Sequence, residues 1–273
     1  MTEQFSVTSV GYSHVKEGKP CQDFSLSYQD TERTVIAACD GHGGELYVRS
    51  HKGSRFASLA VLNAMMEIPS LSFRKYRPED IEHSLKLNIL CEWNRLLEKD
   101  LAEHPLRKSE VAHLKDEQIK TLRQAPAKAY GSTLCGAMLL GNRLICVGIG
   151  DGGAFLLKNG ALISAFGADE DEPVANVTHS LCGEDAFEHM HAKVFDARRV
   201  DGVMLCTDGV TGPYQSIENF RRAFVRPTVR CVLEGNVHAI KRFVRDLGRH
   251  SGTGDDVSLA MILKNDVKTK YYR

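Results

Sequence analysis

The chain has 273 residues, enough to bury a sizeable core without disulfides or a structural metal. Lys plus Arg and Asp plus Glu each number 35, so the formal net charge is zero; this argues against a dedicated nucleic-acid binder, and the mixed charge with 42% apolar residues excludes a disordered chain. No apolar run reaches the about 18 residues of a membrane span, and MTEQFSVTSVGYSH lacks the charged and apolar regions of a secretory signal, so we expect no membrane association and a cytoplasmic location.

In chain order, residues 5–11 and 24–29 read as short strands, and TVIAAC (34–39) is a β-branched apolar run that stops at Asp40-Gly41. Residues 45–66 predict a helix with Phe56, Leu59, Leu62 and Met66 on one stripe. Arg77-Pro78-Glu79-Asp80 is a helix start, with Pro in the first turn and acids at the positive dipole end. Ile81, Leu85, Ile89, Trp93, Leu97 and Leu101 then recur every fourth residue to about 103. Residues 105–128 are charged, contain two prolines and predict only a short helix at 109–123, the loosest part of the chain. Strands at 134–140 and 143–150 flank Gly141-Asn142, and 154–164 turns at Asn159-Gly160. Residues 166–195 read as polar and irregular. Strands at 202–206 and 257–263 enclose helices near 216–224 and 236–249, and residues 264–273 read as a short, basic, frayed tail.

Antiparallel hairpins with grouped helices predict an α+β fold rather than βαβ alternation. There is no repeat, low-complexity tract or linker, and motifs near residues 40 and 255 must share one site, so 1–273 reads as one domain. Eight cysteines (21, 39, 91, 135, 146, 182, 206 and 231) are widely spaced with no CxxC pair, which reads as buried free thiols in a reducing compartment.

Three apolar strands end at Asp followed by Gly: Asp40-Gly41, Asp151-Gly152 and Asp208-Gly209. Asp255-Asp256 comes immediately before a fourth. If that last strand runs antiparallel to the others, five carboxylates converge on one rim. Such a group needs protons or cations to offset its repulsion. Oxygen-only ligation suits Mg²⁺ or Mn²⁺; zinc is disfavoured by the absence of HExxH and of zinc-spaced cysteines. A turn alone accounts for any single Asp-Gly pair. Asp40 differs, because Asp40-Gly41-His42-Gly43-Gly44 joins a carboxylate, accessible backbone and an imidazole within five residues.

Asp40-Gly41-His42-Gly43-Gly44, Gly131-Ser132-Thr133-Leu134, Gly150-Asp151, Asp208-Gly209 and Asp255-Asp256-Val257-Ser258 occur in this order. The series resembles that of the metal-dependent protein serine/threonine phosphatases of type 2C, in a bacterial-like form, over nearly the whole chain. The resemblance implies a central antiparallel β-sandwich flanked by helix pairs. It implies hydrolysis of phosphoserine and phosphothreonine by water activated between two Mn²⁺ or Mg²⁺ ions. Asp40 would bridge the ions, the Gly41 carbonyl would bind one, and Asp208 and Asp255 would complete the other's shell. Asp151 with Asp208 would hold a third, weaker ion. His42 would protonate the leaving oxygen, while Ser132 and Thr133 would shape strand packing.

The first motif departs from the family. Gln22 stands where Glu is usual, Gly18 falls near the usual phosphate-binding Arg, and Asp23 is retained as a metal-site residue. Gln22 adds no negative charge, though it can still bond a water at the metal. His14, Lys16 and Lys19 are then the candidate phosphate cations, His14 first. Asp256 stands where Asn is commonest and is expected to hydrogen-bond rather than ligate. Segment 166–195 takes the place of a flap, and its acids Asp169 to Glu172 read as a solvated loop. The altered first motif leaves a binding pseudophosphatase as an alternative, and a small phosphate-monoester hydrolase as another. The resemblance further implies phosphoprotein substrates, a cognate Ser/Thr kinase, signalling by dephosphorylation, and a monomer.

Overall fold

The strand-forming runs pair into two five-stranded antiparallel sheets in the computed structural model, which describes residues 2–69, 76–167, 178–250, 253–265, 267 and 272. One sheet has the order β1 (Thr2–Ser9), β10 (Val257–Lys264), β9 (Gly202–Cys206), β6 (Gly153–Lys158), β7 (Ala161–Ser164). The other has β2 (Phe24–Gln29), β3 (Arg33–Cys39), β4 (Leu134–Leu140), β5 (Arg143–Ile149), β8 (His191–Asp196). The β6–β7 turn places Asn159 and Gly160 both at positive φ, 49° and 78°, as a two-residue hairpin of the favoured hand requires.

The sheets face each other across Ile36, Ala38, Ala137, Cys146, Val203, Leu205, Ala260 and Ile262. Alternate residues point the other way. Val35, Ala37 and Cys39 pack under the helices α2 (Ser50–Met66) and α3 (Pro78–Glu103). Leu259, Met261 and Leu263 pack under α8 (Arg226–Leu233) and α9 (Val237–His250). Burial on both faces explains why β3 and β10 are continuous apolar runs rather than alternating ones. The result is an α+β sandwich with helices on both outer faces, as expected.

The α3 stripe is seated as predicted, with Ile81, Leu85, Ile89, Trp93 and Leu97 buried. Other boundaries move. The first strand is Thr2–Ser9, and a short helix, α1 (Tyr12–Glu17), follows it unpredicted. The helix expected from 45 begins at Ser50, because Arg49 carries non-helical backbone and buries its guanidinium. That guanidinium also corrects the reading of 105–128 as loose. It pairs with both Glu110 oxygens (2.7 and 2.9 Å), and bonds Asp100, the Tyr130 hydroxyl, and the carbonyls of His104 and Pro105. Within the segment, the short helix is α4 (Asp116–Gln124), started by the Gln118 side chain accepting from Lys115 N–H.

Segment 166–195 is only partly irregular: it holds α5 (Ala186–His189) and most of the edge strand β8. Its acids at 169–172 lie outside the described residues. After α6 (Asp208–Thr211), the helix expected at 216–224 runs as α7 (Ile217–Phe220), one wide π turn (Arg221–Val225) and α8. Pro227 has no N–H to give back to that turn, which favours the wider loop. The described residues of the C-terminal stretch are anchored rather than frayed. Val267 and Tyr272 are buried, and the Tyr272 hydroxyl donates to Asp201 (2.9 Å). All eight cysteines are free thiols; four are buried, three half-buried, and Cys91 is exposed, which corrects the expectation of uniform burial.

Candidate metal centre

Strand direction sets the site. β9 ends at Cys206, which pairs with Gly153 at the start of β6 and with Leu259 near the start of β10. β3 ends at Cys39, opposite Phe24 at the start of β2, and β5 ends at Ile149, opposite Leu134 at the start of β4. The loops after β3, β5 and β9 and before β10 therefore share one edge of the sandwich. Asp151 lies on the link that carries the chain from one sheet to the other.

Carboxylate oxygens of Asp40, Asp151 and Asp208 all lie within 4.8 Å of one another. Asp255 is close enough to raise the pKa of both Asp40 and Asp208. Asp23, buried, accepts from Thr207 Oγ1 at 2.7 Å and shares a hydrogen bond with Asp40. Burial pushes Asp40 and Asp23 well above the usual carboxylate range, and the neighbouring carboxylates add to this at Asp40. Asp208 is pushed up to about 6 by burial, then by Asp151 and Asp255, and Asp255 is raised mainly by burial. The expected convergence thus holds for four of the five rim aspartates, with Asp23 added from beneath.

Asp256 is the correction. Its carboxylate is buried and accepts from Gly11 N–H (2.6 Å) and Gln22 N–H (2.6 Å), with His14 Nδ1 at 2.9 Å. This agrees with its expected hydrogen-bonding role.

The backbone of Asp40 is clamped. Its carbonyl accepts from Thr133 N–H and Ser132 Oγ, both 2.8 Å, and its N–H donates to Thr133 Oγ1. Ser132 and Thr133 are buried, in keeping with the packing role expected of them, and they also hold the Asp40 backbone from behind. Gly41 fits where no side chain can: an added Cβ would lie 2.6 Å from the Ser50 carbonyl oxygen and 2.7 Å from that of Gln22. Gln22 spends both amide protons on Ser50 Oγ (2.6 Å) and the His42 carbonyl (3.2 Å), leaving only its Oε1 for a water. His42 rests against Tyr47, with ring centroids 4.9 Å apart, and its Nε2 is buried without a partner. Burial lowers the His42 pKa, and Asp151 acts against that.

Residues 10–245 match the family model described as Protein phosphatase 2C. The chain belongs to the protein phosphatase 2C family.

The fold agrees with solved structures of protein phosphatases at low identity. The catalytic domain of the serine threonine protein phosphatase PstP, in complex with two manganese ions, is 18% identical over 96% of this chain and 97% of that one, with a TM-score of 0.57. A bacterial serine phosphatase is 14% identical over 98% and 100%, with a TM-score of 0.63. Stp1 from Staphylococcus aureus is 15% identical over 97% and 95%, with a TM-score of 0.57. No curated protein matches the chain.

In this protein phosphatase 2C chain the weaker phosphate candidates divide. His14 is mostly buried on α1 with one ring nitrogen on Asp256, Lys16 is exposed on the same helix, and Lys19 pairs with Glu17 at 2.7 Å. Two features had no sequence signal. Arg49 is indistinguishable in sequence from a surface arginine. Thr178, which donates to Asp151 at 2.8 Å, lies in a segment without periodicity.

No helix among the described residues is long and apolar enough to cross a membrane.

Proposed function

We propose that this protein is a divalent-metal-dependent phosphatase for phosphoserine and phosphothreonine in proteins, with residues 1–273 forming one catalytic domain. The observation that carries it is the gathering of Asp40, Asp151 and Asp208 at the shared strand edge. Their all-oxygen donor set fits Mg²⁺ or Mn²⁺, whose charge would offset the burial and mutual repulsion that raise the pKa values of Asp40 and Asp208.

Asp40, the Gly41 carbonyl, Asp208 and Asp255 would hold two ions, Asp151 with Asp208 a third, and Asp23 belongs to the same donor group through Asp40. Bound there, such ions supply hydroxide at neutral pH and neutralise charge on the transferring phosphoryl group. The Ser132–Thr133 clamp keeps Asp40 from shifting as charge moves. His42 gives the proton on Nε2 to the leaving serine or threonine oxygen, a role worth about 10²–10⁴-fold. Its lowered pKa leaves it neutral in the empty site; an arriving phosphate dianion and Asp151 favour the protonated form. His14, steadied by Asp256, presents its other ring nitrogen to the phosphate, and Lys16 adds positive charge from the surface of α1.

This reading places the protein opposite a Ser/Thr kinase in cytoplasmic signalling, acting as a monomer. Phosphate release from a phosphothreonine peptide, with Mn²⁺ titrated into chelator-stripped protein, tests it. Metal-dependent release that disappears in Asp208→Ala is expected. Release without added metal, or an active Asp208→Ala, overturns the assignment.

A further inference from the structure

Beside the carboxylate centre, a second group of ligating side chains faces the same opening. His179, Asp185 and His189 bring one donor atom each to within 4.8 Å of one another. His189 Nε2 lies 3.1 Å from Asp185 Oδ2, and the His179 and His189 rings stack with centroids 3.5 Å apart and planes 14° from parallel. An Asp–His pair one helical turn apart is ordinary on a helix surface. A second imidazole held against it from another segment is not explained by that pair.

Both supports are anchored. On one side Leu181 is buried, and its N–H donates to the Ser132 carbonyl at 3.0 Å. On the other, Ala186 and Met190 bury the inner face of α5, leaving Asp185 and His189 on the outer one. The donor atoms are therefore carried on backbone fixed to the core, as a ligand site requires.

We propose that His179, Asp185 and His189 form a transition-metal site of zinc type, separate from the carboxylate centre. Two imidazole nitrogens and one carboxylate oxygen are the soft-to-borderline set that selects zinc over magnesium. Ligands about 2.0–2.2 Å from a tetrahedral ion stand about 3.3 Å from one another, so the His189–Asp185 spacing already suits a shared ion. The two rings turn about their side-chain torsions to aim at it; His189 is 41% exposed and has room to do so. The fourth position is open, as in sites with three protein ligands. His179 and His189 line a cavity of about 670 Å³ that Asp151 also lines.

Occupancy would also tie α5 to a segment that touches the carboxylate centre. Residue 178 donates to Asp151, and Ser180 Oγ bonds both the N–H and the carbonyl of Ser132, the residue that clamps Asp40.

The site is tested by zinc binding, which does not depend on the phosphatase reading. The full chain is stripped with chelator and saturated with Mg²⁺ to fill the oxygen ligands. Zinc is then titrated in competition with a chromophoric chelator. One zinc per chain is expected, with affinity reduced at least about tenfold by His179→Gln and by His189→Gln and unchanged by Asp208→Asn. Circular dichroism and the zinc-free melting temperature check that the variants are folded, and the rise in melting temperature caused by zinc should be lost in both His variants. Zinc binding that survives both His variants, that is lost in Asp208→Asn, or that is absent from the magnesium-loaded chain overturns the proposal.

Discussion

Asp256 shows how one residue can support the carboxylate centre without joining its rim. The two aspartates before β10 are neighbours in an extended segment, so only one can face the rim while the other points inward. Asp255 takes the rim, and Asp256 is left with two backbone N–H groups and His14 around a carboxylate that is 1% exposed. Removing it strands those donors. Asp256→Ala is expected to cost about 3 kcal/mol, seen as a lower urea midpoint at unchanged slope. A change below about 0.5 kcal/mol would mean that water satisfies the donors instead. The sequence, through its family resemblance, assigned Asp255 to the rim and Asp256 to hydrogen bonding, but not which donors Asp256 would gather. Gln22 is similar: its identity was visible, but not that its amide protons go to Ser50 and His42.

At the scale of elements, α2 carries a glycine in its interior, Gly53, where alanine ordinarily gains about 1 kcal/mol. Here the helix passes so close to the 3-10 turn at Pro126–Tyr130 that an added Cβ would lie 1.9 Å from the Tyr130 carbonyl oxygen. Gly53→Ala should therefore destabilise by about 1–3 kcal/mol, and a raised melting temperature would contradict the close approach.

Elements with buried stripes or runs, such as α3, β3 and β10, were readable because burial imposes a pattern on sequence. β8 and α5 were not, since an edge strand and a one-turn helix bury too little to leave one. Missing α5 hid the Asp185–His189 spacing, and with it the stacked His179. The 105–128 segment looked loose because its order comes from Arg49, more than fifty residues upstream.

For the whole molecule, the carboxylate centre sets how stability varies with pH. A carboxyl whose folded pKa is raised binds protons better folded than unfolded. Its stabilising effect is full below the unfolded value near 4 and is lost as pH rises through the folded pKa, about 6 for Asp208. Asp23, Asp40 and Asp255 shift the same way. His42 and His51, held neutral by burial, act oppositely, but they are two groups against four. Chelator-treated protein should therefore melt higher at pH 5.5 than at pH 7.5, and saturating Mn²⁺ should reverse that order. An unchanged order with Mn²⁺ would remove the support for a cation among these carboxylates.

The pairing of β1 with β10 joins residues 2–9 to residues 257–264. During synthesis the first strand leaves the ribosome long before its partner exists. Until then the rim lacks Asp255, and Asp256 cannot gather Gly11, His14 and Gln22. The nascent chain thus lacks a complete carboxylate centre, and in the proposed role its activity, until residues 255–264 have emerged. The same arrangement leaves β1 unpaired for that whole interval, and β9 open on one side from its own synthesis until β10 follows. Slow, long-range closure of this kind exposes a chain to wrong pairing, so a chain cut short before β10 is expected to aggregate and, in the proposed role, to be inactive.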